Sequence, residues 1–328
     1  MIYLHENGVT VVAKNEAKRG KVYELNGEKY YVAKGVADIQ KIISSKEHPL
    51  NRVITSKLTT LNCLFEIRSY GDPAVPVDYN ENISNWDTSN VLSMDDMFSG
   101  WVEFNQDISN WDTSRVESMR GMFKSSKYQG SYYLGPTSFN QDISNWDVSN
   151  VKNMSEMFLG ATSFDQDISN WDVSNLENMD YMFSGATSFN QPIGNWDVSK
   201  VENMSGMFSD VVAIGILAFV GTLVYTRAGS TSFNQDINNW DVSNVENMDH
   251  MFSGATSFNQ PIGNWDVSNV KNMANMFSGG RKDAAIIQNA ENNSTSFNQD
   301  ISNWDLSNVE NIDYMFSGAT SFNQDLNG

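Results

Sequence analysis

The sequence predicts an α/β solenoid, a stack of coils that each carry one short parallel strand and one short helix, with a small α+β module at the N-terminus. Three observations predict it. Eight of the nine tryptophans stand in the tripeptide Asn-Trp-Asp, at Trp86, Trp111, Trp146, Trp171, Trp196, Trp240, Trp265 and Trp304. Their spacings are 25, 35, 25, 25, 44, 25 and 39, so the unit is 25 residues and three intervals carry 10, 19 and 14 extra. A fixed period of this kind marks a repeat array. Fifteen of the sixteen methionines also recur at fixed places within the unit, beside valine and phenylalanine, as core filler does.

Residues 1–54 are not repeat-like. "KVYELNGEKYYVAK" predicts a hairpin, with Asn26-Gly27 supplying the type I′ turn between alternating strands. "VTVV" before it could add a third strand. "GVADIQKIISS" predicts an amphipathic helix with Val36, Ile39, Ile43 and Ile42 inward. The module is read as a cap docked on the stack, or as an independent binding module. "TSKLTTLNCLF" (55–65) then aligns with "TSNVLSMDDMF" (88–98), leucines replacing methionines. Residues 55–79 therefore read as a capping repeat, which shields the end of an apolar stack.

Within one unit, "SFNQDISNW" suggests a strand centred on Asp142–Ser144. "DVSNVKNMSEMF" places Val151, Met154, Met157 and Phe158 on one helical face. Asp147 or Ser149 would cap that helix at its start, and Gly160 would end it in a left-handed conformation. One strand and one helix per 25 residues is leucine-rich-repeat-like geometry.

The motif W-D-x-S-x-V-x-x-M-x-x-M-F recurs eight times, with Leu176 for the valine and Ile312 for the first methionine. It resembles the repeats of BspA-like leucine-rich-repeat surface proteins and covers roughly 55–328. Members of that family are mostly displayed at cell surfaces and are associated with adhesion and protein binding. The resemblance therefore implies a surface or secreted location and a protein or cell-surface partner. The export leader usual in that family is not visible in "MIYLHENGVTVVAKNEAKRG".

All extra residues enter between the "MF" of one unit and the "TSFN" of the next, near 66–78, 124–136, 210–230 and 279–294. A solenoid tolerates long edge loops because closure cost grows slowly with length. Insertions on one face often mark the binding face. The second carries Tyr128, Tyr132, Tyr133 and Leu134 among small polar residues, a paratope-like composition. The third is apolar from Val211 to Tyr225 and includes Ile214, Ile216, Leu217, Phe219, Val220, Leu223 and Tyr225. It is too short for a spanning helix, which needs about 20 residues. It reads as a loop against the stack, a self-association patch or a membrane-touching finger. The fourth holds a short helical run, "KDAAIIQNAE", with Ile286 and Ile287.

Charge excludes one class of partner. Residues 1–80 hold 11 Lys+Arg against 9 Asp+Glu, whereas the rest holds 10 against 31. An acidic body of this kind does not bind a nucleic-acid backbone, which needs cations to displace counterions. Catalysis finds no support either. His5, His48 and His250 sit in unrelated contexts, Cys63 is the lone cysteine at a variable repeat position, and no phosphate loop or nucleophile motif occurs. Asp pairs recur at 107/112, 142/147, 167/172 and 300/305 and could line a calcium column, but Pro192 and Pro261 break it. The expectation is a non-enzymatic scaffold without cofactor or metal that binds protein through its edge loops. A self-assembling rod built through 211–225 is the alternative.

Overall fold

The structure, a computed structural model, describes residues 1–67, 80–125, 137–217, 222–227, 231–279 and 294–326. The N-terminal part holds most of its regular structure. β1 (Ile2–Leu4) pairs antiparallel with β2 (Val11–Ala13). β3 (Val22–Leu25) and β4 (Glu28–Val32) form the Asn26-Gly27 hairpin, both turn residues lying at positive φ. The "VTVV" strand therefore joins β1, not this hairpin. β5 (Val53–Ile54) adds to β4 in parallel.

α1 (Val36–Ser45) buries Ile39, Ile42 and Ile43, and ends where Lys46 turns left-handed and donates its N–H to the Ile42 carbonyl. That face belongs to one apolar core running from Ala33 to Met315, so the module and the repeats are packed together. A 3₁₀ turn (Leu50–Arg52) stands in for a preceding coil. Its Leu50 carbonyl accepts the Trp86 indole N–H at 3.0 Å, just as the Ile83 carbonyl accepts that of Trp111 at 3.2 Å.

The repeats correct the expected fold class. Among the described residues α1 is the only α-helix, and no coil contains the expected strand and helix. An α/β solenoid, leucine-rich-repeat-like in its elements, is not what forms. Each coil is instead a chain of tight turns. In the coil around Trp146 these are closed by N–H to C=O bonds from Trp146 to Ile143, Val151 to Val148, Met157 to Met154, Leu159 to Glu156, and Ala161 to Phe158, at 2.9–3.2 Å. The expected strand centre at Ile143 is thus the start of a turn. The β contact falls inside the expected helix, as isolated parallel bridges joining Thr60, Ser93, Ser118, Asn153, Asn178, Asn203, Asn247, Asn272 and Asn311 in one line.

The helix fails for a local and a lateral reason. Locally, the residue before the second methionine turns left-handed, as at Asp96, Glu156, Tyr181, His250, Asn275 and Tyr314 (φ 53–58°), which a right-handed helix cannot absorb. Laterally, the neighbouring coils offer better partners than a short, marginal helix would. Met154, Glu156, Phe158 and Gly160 donate forward to Asn178, Asp180, Met182 and Ser184 at 2.7–2.9 Å. The carbonyls of Asn153, Ser155, Met157 and Leu159 accept from Met119, Gly121, Phe123 and Ser125 of the coil behind. With the turn bonds and Asn153 Oδ1 on the Ser155 N–H, every backbone N–H and C=O from Met154 to Gly160 has a partner.

The inward set is nevertheless the one a helix would bury. Met154, Met157 and Phe158 have no exposed surface. An i, i+3 turn brings one residue inward per turn, as a helix does, and each buried large side chain contributes about 1.5–3 kcal/mol of transfer free energy.

Candidate functional site

Three columns of side chains hold the stack while the edge varies. The indole N–H of each Asn-Trp-Asp tryptophan from Trp111 onward donates to an isoleucine carbonyl of the coil behind, at 3.1–3.2 Å. Two phenylalanine columns run beside them. Their rings pair within a coil at 3.9 Å for Phe158–Phe164 and 4.0 Å for Phe183–Phe189. The longest insertion enters between the two rings of one such pair, and that pair, Phe208–Phe233, still sits at 3.9 Å.

All four insertions leave from the same rung. In uninterrupted coils the fourth forward donor is a left-handed glycine: Gly100, Gly160, Gly185 and Gly254, at φ 69–75°. In interrupted coils that place is held by Ile67, Ser125, Asp210 and Gly279, whose N–H groups still bond Ser99, Leu159, Ser253 and Ser317 at 2.7–2.9 Å. Three of the four are not glycine because the chain departs there and does not turn back. At the second and fourth insertions a buried threonine fixes the return: Thr137 Oγ1 donates to the Phe123 carbonyl and Thr295 Oγ1 to that of Phe277. At about 4.8 Å per hydrogen-bonded step, successive exits stand about 10, 14 and 10 Å apart along one edge.

The third insertion is no loose loop. β6 (Val211–Leu217) and β7 (Thr222–Arg227) form an antiparallel hairpin, register Leu217↔Thr222 to Val211↔Arg227, with a bulge near its base. Of the predicted contact residues, Ile214, Ile216, Leu217, Leu223 and Tyr225 lie on these strands, where the backbone alone is described. Tyr128, Tyr132, Tyr133, Leu134, Phe219, Val220, Ile286 and Ile287 lie outside the described residues, as does the "KDAAIIQNAE" run. Among the described residues no helix is long and apolar enough to cross a membrane.

A charged network brackets the second exit. Lys124, one residue before Ser125, pairs with Asp96 at 2.7 Å and Glu156 at 2.9 Å, while Arg120 also reaches Asp96, tying three coils together. Burial works to lower the Lys124 pKa, but Glu156 and Asp96 outweigh it and the ammonium is held above its ordinary value. Sequence reasoning missed this network because its members lie 24–32 residues apart.

The Asp columns are turn caps. Asp147 Oδ1 accepts the N–H and hydroxyl of Ser149, as Asp112 does from Ser114 and Asp241 from Ser243. No group of three or more His, Cys, Asp or Glu arranged to hold a metal occurs among the described residues. His48 stacks on Tyr31 and His250 pairs with Asp249, so the histidines lie in separate places.

What these features define is a repeat protein whose stacked coils carry insertions along one edge. The chain belongs to the DUF285 family, described as Mycoplasma protein of unknown function, which matches residues 37–132, 130–215 and 229–328. Neither a curated protein nor a solved structure matches it.

Proposed function

We propose that the chain is a non-enzymatic scaffold that binds a protein partner at a cell surface through the insertions on its edge. The observation that carries this reading is the common exit rung: four unrelated segments leave from equivalent positions while the rungs beneath them keep their 2.7–2.9 Å bonds. A frame that holds its geometry and varies at one edge has the logic of recognition loops on a rigid support. Membership of a Mycoplasma repeat family and the resemblance of the motif to BspA-like surface proteins support the surface location. The test compares the full chain with one in which every insertion is replaced by the "SGATS" link of uninterrupted coils. Fluorescently labelled full chain should bind cultured animal cells saturably, and the stripped chain should lose at least about tenfold in affinity at similar melting temperature. Equal binding by both would sink the insertion reading, and no binding by either would sink adhesion.

A second reading has its own observation. The β6–β7 sheet has two strands only, so neither outer edge has a strand partner among the described residues. An open edge of this sequence is a template for pairing with a second copy. Light scattering of the chain with and without 210–230 replaced by Gly-Ala decides it. Oligomers that vanish with the hairpin favour assembly, and monomers in both remove it.

A further inference from the structure

One repeat aspartate differs from its seven counterparts. Asp112, Asp147, Asp172, Asp197, Asp241, Asp266 and Asp305 cap their turns in the open, whereas Asp87 is 6% exposed. The cause is the β1–β2 hairpin, which lies across this coil through Val11 N–H on the Asn85 carbonyl and Ala13 N–H on Ser56 Oγ. Between hairpin and coils lies an open cavity of about 160 Å³, lined among others by Tyr3, His5, Asn7, Asp87, Ser89 and Asp112. Among the described residues no lysine or arginine lines it, and the nearest cation recorded beside a lining residue is Lys14, over the Tyr3 ring.

The chemistry of the lining is one-sided. Ser89 donates its N–H at 3.1 Å and its hydroxyl at 2.6 Å, both to Asp87 Oδ1. Oδ2 has no donor among the described residues and, unlike the neighbouring Asn85 Oδ1, is not closed off from solvent, so this largely buried side chain leaves one oxygen open at the cavity. A carboxylate oxygen without a donor gains from a charge-assisted bond to a nitrogen head. Asp112 adds a second carboxylate. Tyr3 adds an aromatic ring, one face of which already holds the chain's own Lys14 Nζ at 5.5 Å from its centroid. His5 Nδ1 accepts the Asn7 N–H, which leaves its other nitrogen free of that bond.

We propose that this cavity binds the cationic nitrogen head of a basic side chain, guanidinium or primary ammonium, presented by a protein partner. The site is separate from the insertion edge and stands without the adhesion reading. The full chain, labelled with ¹⁵N, is titrated with N-acetyl-arginine amide, N-acetyl-lysine amide, putrescine and the neutral isostere N-acetyl-citrulline amide. The amides of Thr88 and Ser89 should shift with the arginine or lysine derivative at millimolar concentration and not with citrulline. Asp87→Asn, which keeps an Oδ1 acceptor for the turn, should weaken binding by about tenfold or more. Asp172→Asn, the same substitution in an uncovered coil, should leave it unchanged. If Asp87→Asn melts early, the exposed Asp112→Asn supplies the same comparison. Preference for putrescine over both side-chain derivatives would overturn the protein partner in favour of a free amine. No shift with any cation, equal shifts with citrulline, or undiminished binding by the Asp87 and Asp112 variants would overturn the site itself.

Discussion

The indole N–H of Trp240 reaches the Ile193 carbonyl at 3.1 Å across 47 residues, and that of Trp171 reaches Ile143 at the same distance across 28. The hairpin inserted in the first interval leaves the bond unaltered. Trp240→Phe and Trp171→Phe remove the indole donor and shrink a buried ring, while the carbonyls keep their turn bonds from Trp196 and Trp146, so each should cost about 1–3 kcal/mol. The two losses should agree closely. A much smaller loss at Trp240, measured by denaturant unfolding, would show that the insertion loosens the stack.

Tyr181 and Gly206 form a second coupled pair. Gly206 sits at φ +59° with the Tyr181 ring over it, so an added Cβ would lie 2.3 Å from a ring carbon. Gly206→Ala should destabilise by about 1–3 kcal/mol from crowding, on top of the left-handed backbone cost. In a Tyr181→Ala background only the backbone part, about 1–2 kcal/mol, should remain. Additive single-variant effects in that double-mutant cycle would refute the contact.

Where four of the eight coils read Asp-x-Ser before tryptophan, two read Pro-x-Gly. Gly194 lies against the next coil so closely that a Cβ would stand 2.2 Å from the Asp236 carbonyl oxygen, and Gly263 is matched at 2.4 Å from that of Asp300. Backbone on both sides leaves little room to yield. Gly194→Ser should therefore cost about 1–3 kcal/mol or more. A thermal melt indistinguishable from the parent would contradict the close approach.

Acid should loosen the stack. Serine side-chain and backbone donors hold Asp142, Asp167, Asp172, Asp197 and Asp266 below the ordinary carboxylate value, and backbone and side-chain donors do so for Asp300 and Asp305. A depressed folded pKa stabilises above the unfolded value of about 3.9, and that stability is lost as pH falls through the folded values. Asp180, raised by burial and by Glu156, works in the opposite direction, losing its contribution as pH rises through its raised value. Asp180 acts above the ordinary carboxylate value and the seven lowered groups act below it, so below about 4 the seven set the sign. The melting temperature should fall as pH drops below about 4, and a flat or rising profile there would count against the caps.

The 25-residue period, the inward methionines and the entry points of the insertions were legible in the sequence, because all three are matters of spacing. The local conformation was not. Met154, Met157 and Phe158 point inward from a helix or from two turns alike, and periodicity does not separate the two. Composition held a signal that spacing did not: Gly121 and Gly206 stand inside the expected helix, in the column otherwise held by the left-handed Asp96, Asn275 and others. Loss of the fourth-rung glycine at Ile67, Ser125 and Asp210 likewise marks where the chain leaves the stack. The cavity at Asp87 gave no sign, since this aspartate reads like its seven counterparts until the hairpin covers it.

Within a coil such as Met154–Gly160 the ladder donors all face forward and the ladder acceptors all face back. Each interior coil thus carries the two complementary halves of one joint. Copying or losing a whole unit rebuilds that joint with the same chemistry, and no compensating substitution is required elsewhere. Slippage of the gene by multiples of one unit would lengthen or shorten the protein while leaving it folded. Reach, and with it the distance between one edge loop and the next, is the property this chain can alter by copying error alone.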